Sequence, residues 1–226
     1  MFTPVCKATF VLGAVLLLSA CGEQDTPSGS EAPPDPATLP GVYAGTFPCG
    51  NCPGIDVRLW LRDDGVFFMR QDYQATDASP MERVHALGRW AWDSAAPALV
   101  LRGQGPERRF SYREPLLTMH TLGERPVLER DDAAGPFTDR LPLQGEYVSG
   151  GNAGMFAECI SGLRLPVQED SRGRDLKRRH RAVSPADRPA LVSIEAHVAD
   201  SGSAAAQEIL IVDRFLALRP SSDCGN

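Results

Sequence analysis

The segment Ile55-Asp56-Val57-Arg58-Leu59-Trp60-Leu61-Arg62 alternates so cleanly that it constrains the whole first half of the chain. Side chains in a strand point to opposite faces in turn, so Ile55, Val57, Leu59 and Leu61 share one buried face. Asp63-Asp64-Gly65 follows as a hairpin turn, and Val66 to Tyr73 is the return strand. Val42 to Phe47 supplies a strand before the pair. Val84–Trp92, Ala98–Arg102, Arg108–Arg113, Leu116–Thr121 and Pro126–Glu129 supply strands after it. Eight short strands at regular spacing, uninterrupted by any helical period, predict a small antiparallel barrel or sandwich.

Arg130 to Pro142 is a weak segment, and a domain boundary is expected near it. Beyond it, Leu143–Val148, Ile160–Val167, Ala190–Ala199 and Glu208–Phe215 read as strands. Arg174 to Val183 is short and basic and reads as one helix. This order fits a second small β-barrel of OB-like type with one short helix. The expected fold class is therefore mainly β. Its expected divisions are a barrel over 41–131 and an OB-like domain over 142–226.

The amino terminus points to export. Met1 to Lys7 carries one positive charge, and Ala8 to Leu18 is apolar but too short for a bilayer, which takes about 20 residues. Leu18-Ser19-Ala20-Cys21 resembles the lipobox cut by lipoprotein signal peptidase. Residues 1–20 are then a signal peptide and Cys21 is the lipidation site. Gly22 is not the aspartate that retains such proteins at the inner membrane, so an outer-membrane address is expected. Gly22 to Pro40, rich in Pro, Ser, Gly and acids, reads as a disordered tether over 21–40. The formal charge is −6 for the 226 residues and becomes −7 when Lys7 is removed. An acidic chain argues against nucleic acid or anionic lipid as the main partner.

Four cysteines remain: Cys49, Cys52, Cys159 and Cys224. An even number in an oxidising compartment suggests disulfides, and four cysteines allow three connectivities. Pairing Cys49 with Cys52 and Cys159 with Cys224 keeps each bridge within one half. Cys49-Gly50-Asn51-Cys52 also has the spacing of a soft-metal site for Cu(I), with Met69, Met81, His85, Met119 and His120 as candidate further ligands. A redox catalyst is the third reading, but Pro48 and Pro53 bracket the motif and strands flank it, so the activating helix is missing. Bridging Cys159 and Cys224 would make either a structural staple or a redox sensor.

Gly41-Val42-Tyr43-Ala44-Gly45-Thr46-Phe47-Pro48-Cys49-Gly50-Asn51-Cys52-Pro53-Gly54-Ile55 resembles the start of the NlpE family of lipoproteins. Leu59-x-Leu61-x-x-Asp64-Gly65 and Gly88-Arg89-Trp90 continue the likeness. In the second half Gly145-x-Tyr147, Phe156-Ala157-Glu158-Cys159-x-x-Gly162, Pro189 to His197 and Cys224 do so as well. The resemblance implies a lipocalin-like barrel followed by an OB-fold. It also implies an outer-membrane lipoprotein of copper homeostasis and envelope or surface-contact stress, whose partner is an inner-membrane sensor histidine kinase of the Cpx type. One departure stands out. The helix before Pro189 is usually mixed or acidic in the family, whereas here it reads Arg172-Gly-Arg-Asp-Leu-Lys-Arg-Arg-His-Arg181.

Enzyme motifs are absent: no Gly-x-Ser-x-Gly, no His-Glu-x-x-His, no phosphate loop. Asp63-Asp64 and Asp131-Asp132 sit at turns, where solvation accounts for them. A rival to stress signalling is a lipocalin-like module holding a small apolar ligand, lined by Trp60, Phe67, Trp90 or Trp92.

Overall fold

The computed structural model describes residues 35–135, 137–150, 153–202, 208–220 and 222–225. The expected leader, Cys21 and nearly all of the tether lie outside the described residues. Eight strands form a closed antiparallel barrel: β1 (Gly41–Phe47), β2 (Ile55–Leu61), β3 (Val66–Tyr73), β4 (Glu82–Asp93), β5 (Ala98–Gly103), β6 (Arg108–Arg113), β7 (Leu116–Met119) and β8 (Val127–Arg130). Each strand pairs with its sequence neighbour, and β8 returns to β1 through Tyr43 and Ala44. Gly65, at φ 78°, makes the β2–β3 turn with the Asp64 carboxylate accepting from the Val66 N–H at 3.0 Å. Gly88 and Gly103 face each other across β4 and β5, where a Cβ on Gly88 would lie 2.1 Å from the Arg102 carbonyl oxygen.

Alternation decides what fills the barrel. Tyr43, Phe47, Val57, Leu59, Leu61, Phe67, Met69, Leu99, Leu101, Phe110 and Leu117 pack inside. Leu39, next to a 3-10 turn over Pro36–Thr38, is fully buried in the same core. The Arg130 guanidinium ties this end down by donating to the carbonyls of Pro40 and Thr38 and to the Tyr43 hydroxyl. Burial pushes the Tyr43 phenol well above its ordinary value, against the lowering pull of Arg130.

The second sheet runs in the order β11 (Arg164–Pro166), β10 (Met155–Glu158), β9 (Leu141–Val148), β12 (Ala190–Asp200), β13 (Glu208–Pro220). A parallel bridge from Val167 to Leu210 brings the two outer strands together, and helix α1 (Ser171–Val183) lies between β11 and β12 in the chain. That order, with the helix in that place, is an OB arrangement. The helix begins three residues earlier than its basic run suggests. Asp170 caps it, accepting from the Arg172 and Gly173 N–H groups. The predicted strand over 160–167 is instead a turn followed by the three residues of β11. Four-residue β10 carries the pairing with β9.

Three cross-strand rows cover the outer face of β2, β3 and β4: Trp60–Phe68–Leu87, Arg58–Arg70–His85, and Asp56–Asp72–Arg83. The weak segment expected near the boundary lies along them as a strap. Phe137 stacks on Trp60 with ring centres 6.1 Å apart, and Arg58 sits 5.3 Å from the Phe137 ring centre. Arg58 also donates to the Gly135 carbonyl at 2.8 Å, and Asp139 pairs with Arg70 at 3.2 Å. Val66, Phe68 and Leu87 therefore belong to the same apolar cluster as Tyr147, Phe156, Val192 and Ile194 of the second sheet. Trp60 faces the strap and not the barrel interior, because it alternates with the inward Leu59 and Leu61.

Candidate functional site

The register Phe47–Ile55 closes β1 and β2 at the end of the barrel opposite Leu39, and the loop beyond it carries the Cys-x-x-Cys motif. Cys49 and Cys52 are joined as a disulfide with Cα atoms 5.3 Å apart, and Gly50 and Asn51 are exposed at the tip. The loop borders an open groove of about 580 Å³, walled by Phe47, Pro48, Ile55, Met119 and Pro126. On the far side stands the β7–β8 loop, whose Leu122 is fully exposed. Strands flank the cysteines on both sides, so neither thiol would gain the acidity that a helix amino terminus confers.

A disulfide offers no thiolate, so ligation of Cu(I) here requires prior reduction. Reduced, the pair would have one further sulfur in the same groove, that of Met119. The other candidate ligands are elsewhere. Met69 is fully buried inside the barrel, and Met81 is 58% exposed beyond β3. His120 Nε2 is 2.7 Å from the Ser111 hydroxyl, and His85 lies in the outer row beside Arg70. Burial holds the His85 imidazole below its ordinary value, with Asp139 pulling it up and Arg83 and Arg70 down. Among the described residues, no group of three or more His, Cys, Asp or Glu is placed to hold a metal ion.

The second disulfide joins Cys159, just after β10, to Cys224 near the carboxyl terminus, Cα atoms 5.2 Å apart and 65 residues in separation. The turn is built on buried Glu158, whose carboxylate accepts from the N–H groups of Ile160 and Ser161 and from the Ser161 hydroxyl, at 2.6–2.9 Å. The Cys224 N–H donates to the Glu146 carboxylate at 3.3 Å. A cavity of about 440 Å³ adjoins the bridge, with Leu143, Ile194 and Leu216 in its wall.

The sequence alone left a third feature unmarked, the brace between barrel and second sheet. The Arg62 guanidinium donates to Glu208 at 2.6 Å and 2.7 Å and to Asp64 at 2.8 Å, and stacks over Trp60. Burial alone would lower its pKa, but the hydrogen bonds it donates to Glu208 and Asp64 outweigh that and hold it charged. The Trp90 indole donates to the Arg62 carbonyl at 2.8 Å, and Arg89 reaches the Ser161 carbonyl. The one available signal for the strap is Phe137, the lone aromatic of the weak segment Arg130 to Pro142.

Comparison with known proteins bears on both halves. The NlpE N-terminal domain model matches residues 43–127, and the NlpE C-terminal OB domain model matches residues 138–225. Lipoprotein NlpE of Escherichia coli (strain K12) is 27% identical over 216 residues, 90% of this chain and 88% of the relative. The crystal structure of the Cpx pathway activator NlpE from Escherichia coli is 26% identical, covering 83% of this chain and all of that one, with a TM-score of 0.36. With both domain models matched in order along one chain, the protein belongs to the NlpE family.

Proposed function

We propose that this protein is an exported lipoprotein, lipidated on Cys21 and held at the outer membrane, that reports envelope and surface-contact stress and takes part in copper homeostasis. It acts by contact with an inner-membrane sensor histidine kinase and not by catalysis. The observation that carries this reading is the pair of NlpE domain matches, in order, in a chain 27% identical to Lipoprotein NlpE of Escherichia coli. The proposed divisions are a signal peptide over 1–20, a tether over 21–40, the barrel over 41–131 and the OB domain over 142–226. The packed barrel interior supports a protein-contact role over storage of a small apolar ligand. The test has two arms. Labelled palmitate should enter the wild-type chain and not a Cys21→Ala variant. Overproduction should raise a Cpx-type stress reporter only in cells that retain the kinase. A reporter response that survives deletion of the kinase would refute the contact reading.

The Cys49–Cys52 groove supports a narrower second reading, reversible Cu(I) ligation with Met119 as the third sulfur. Native mass spectrometry of the reduced protein with Cu(I) tests it. One bound ion lost in Cys49→Ser supports it, and no bound ion removes it.

A further inference from the structure

Helix α1 (Ser171–Val183) is seated on the second sheet by Gly173, Leu176 and His180, a buried face at helical spacing. Its outward side is mostly cationic. Arg172, Arg174, Arg178, Arg179 and Arg181 are all exposed, and Lys177 is half-buried. The helix holds six Lys or Arg and one Asp, in a chain whose net charge is −6. Acids do approach it. Lys177 pairs with Glu169, and Arg178 and Arg179 share Asp175. Counting from Glu169 to Arg188, flanking acids included, seven cations still face four acids. Arg179 is further committed to the Phe215 ring, 4.7 Å away. Beside the cations, Val183 at the helix end is 51% exposed.

Fold stability does not call for this concentration. The helix's carboxyl-terminal dipole needs at most one or two cations in the last turn, and exposed ion pairs contribute little. Five of the six cations are arginines, whose planar forks match phosphate oxygens in pairs. We propose that the outer face of α1 is a contact surface for the phosphate headgroups of anionic lipids in the membrane that holds the chain. The choice of a membrane rests on the reading of Cys21 as a lipid anchor. Only about 20 residues of chain separate Cys21 from Gly41, so the headgroups stay at high effective concentration and a weak charged contact suffices.

The test uses the mature chain produced without its leader and with Cys21→Ser, so that no acyl group contributes. It is mixed with vesicles of equal phosphatidylglycerol and phosphatidylcholine, or of phosphatidylcholine alone, at low salt. Binding to the anionic vesicles only is expected, and it should weaken as salt rises. Arg172→Gln, Arg174→Gln and Arg178→Gln together should lower partitioning about a hundredfold, at roughly fivefold per surface cation. The same three positions changed to Lys should retain most of the binding, and circular dichroism should show all three proteins equally folded. Equal binding to both vesicle types, or unchanged binding by the Gln variant, would overturn the proposal. No vesicle binding by the Cys21→Ser chain would also overturn it and leave the face to an acidic protein. Because this arm needs no acylation, its failure is separate from a failure of palmitate to label Cys21.

Discussion

Truncating Phe137 to alanine isolates the attachment of the strap to the barrel. The ring is 2% exposed, lies 14° from parallel to Trp60 and receives Arg58 on its face. Burying a phenylalanine is worth about 1.5–3 kcal/mol, and Phe→Ala in a core costs about 3–5 kcal/mol once the residual cavity is included. A site between two packed bodies relaxes more than a site within one, so we expect a loss near the lower end, about 3 kcal/mol. That would raise the undocked population about a hundredfold. Urea unfolding followed by tryptophan fluorescence reads it directly, since Trp60 is in the contact while Trp90 and Trp92 border the barrel core. Limited proteolysis within residues 131–140 should quicken in parallel. Phe137→Leu should recover more than half of the loss, because it restores most of the volume. A loss below about 1 kcal/mol with no change in proteolysis would show that the strap does not hold the two bodies together.

Other perturbations follow the same logic. Replacing Cys159 and Cys224 together by serine releases a 65-residue loop and should cost about 4 kcal/mol, seen as a lower urea midpoint for the OB domain. Gly88→Ala drives a methyl into the Arg102 carbonyl and should destabilise the barrel by about 2–3 kcal/mol, measured as a fall in Tm. His180 is fully buried, its Nε2–H donating to the Arg188 carbonyl and its Nδ1 accepting from the Ser149 hydroxyl, both at 2.9 Å. Burial holds its pKa below the ordinary 6.5, so the unfolded chain takes up the proton first. That contribution is intact above pH 6.5 and is lost as pH falls through the folded value. His180→Gln should therefore show a smaller drop in urea midpoint between pH 7.5 and 5.5 than the wild type.

The barrel was legible because each of its strands states its own inside and outside. The run Ile55 to Leu61 puts its branched residues into the core, and the Asp-Gly turn after it fixes the register with Val66 to Tyr73. The same alternation puts Trp60 outside, between the inward Leu59 and Leu61, which rules it out as a liner of the barrel interior. Strand β10 was missed because four residues between a glycine-rich stretch and a turn carry no period. What makes Met155–Glu158 a strand is pairing on both sides, with β9 and β11, which is tertiary information. The groove at Cys49 was half legible. Its cysteine motif is evident, but only folding shows that Met119 lines the same groove as Cys49 while Met69 and His120 do not. The brace from Arg62 to Glu208 spans 146 residues, and nothing local marks either partner.

The anchoring of Leu39, Arg130 and Tyr43 has a mechanical meaning. A pull applied at Asp35 meets the contacts of Arg130 with Thr38 and Pro40 before it reaches β1. Behind them, the seven register pairs between Gly41–Phe47 and Ile55–Leu61 lie across the strand, and force along β1 loads them together in shear. A slip of even one residue would turn Tyr43 and Phe47 out of the core. Below that threshold the barrel transmits force as a stiff body from its plugged end to the disulfide loop. Above it the β1 ladder is expected to part as a unit, so tension on the amino-terminal side should meet a yield point and not a gradual response.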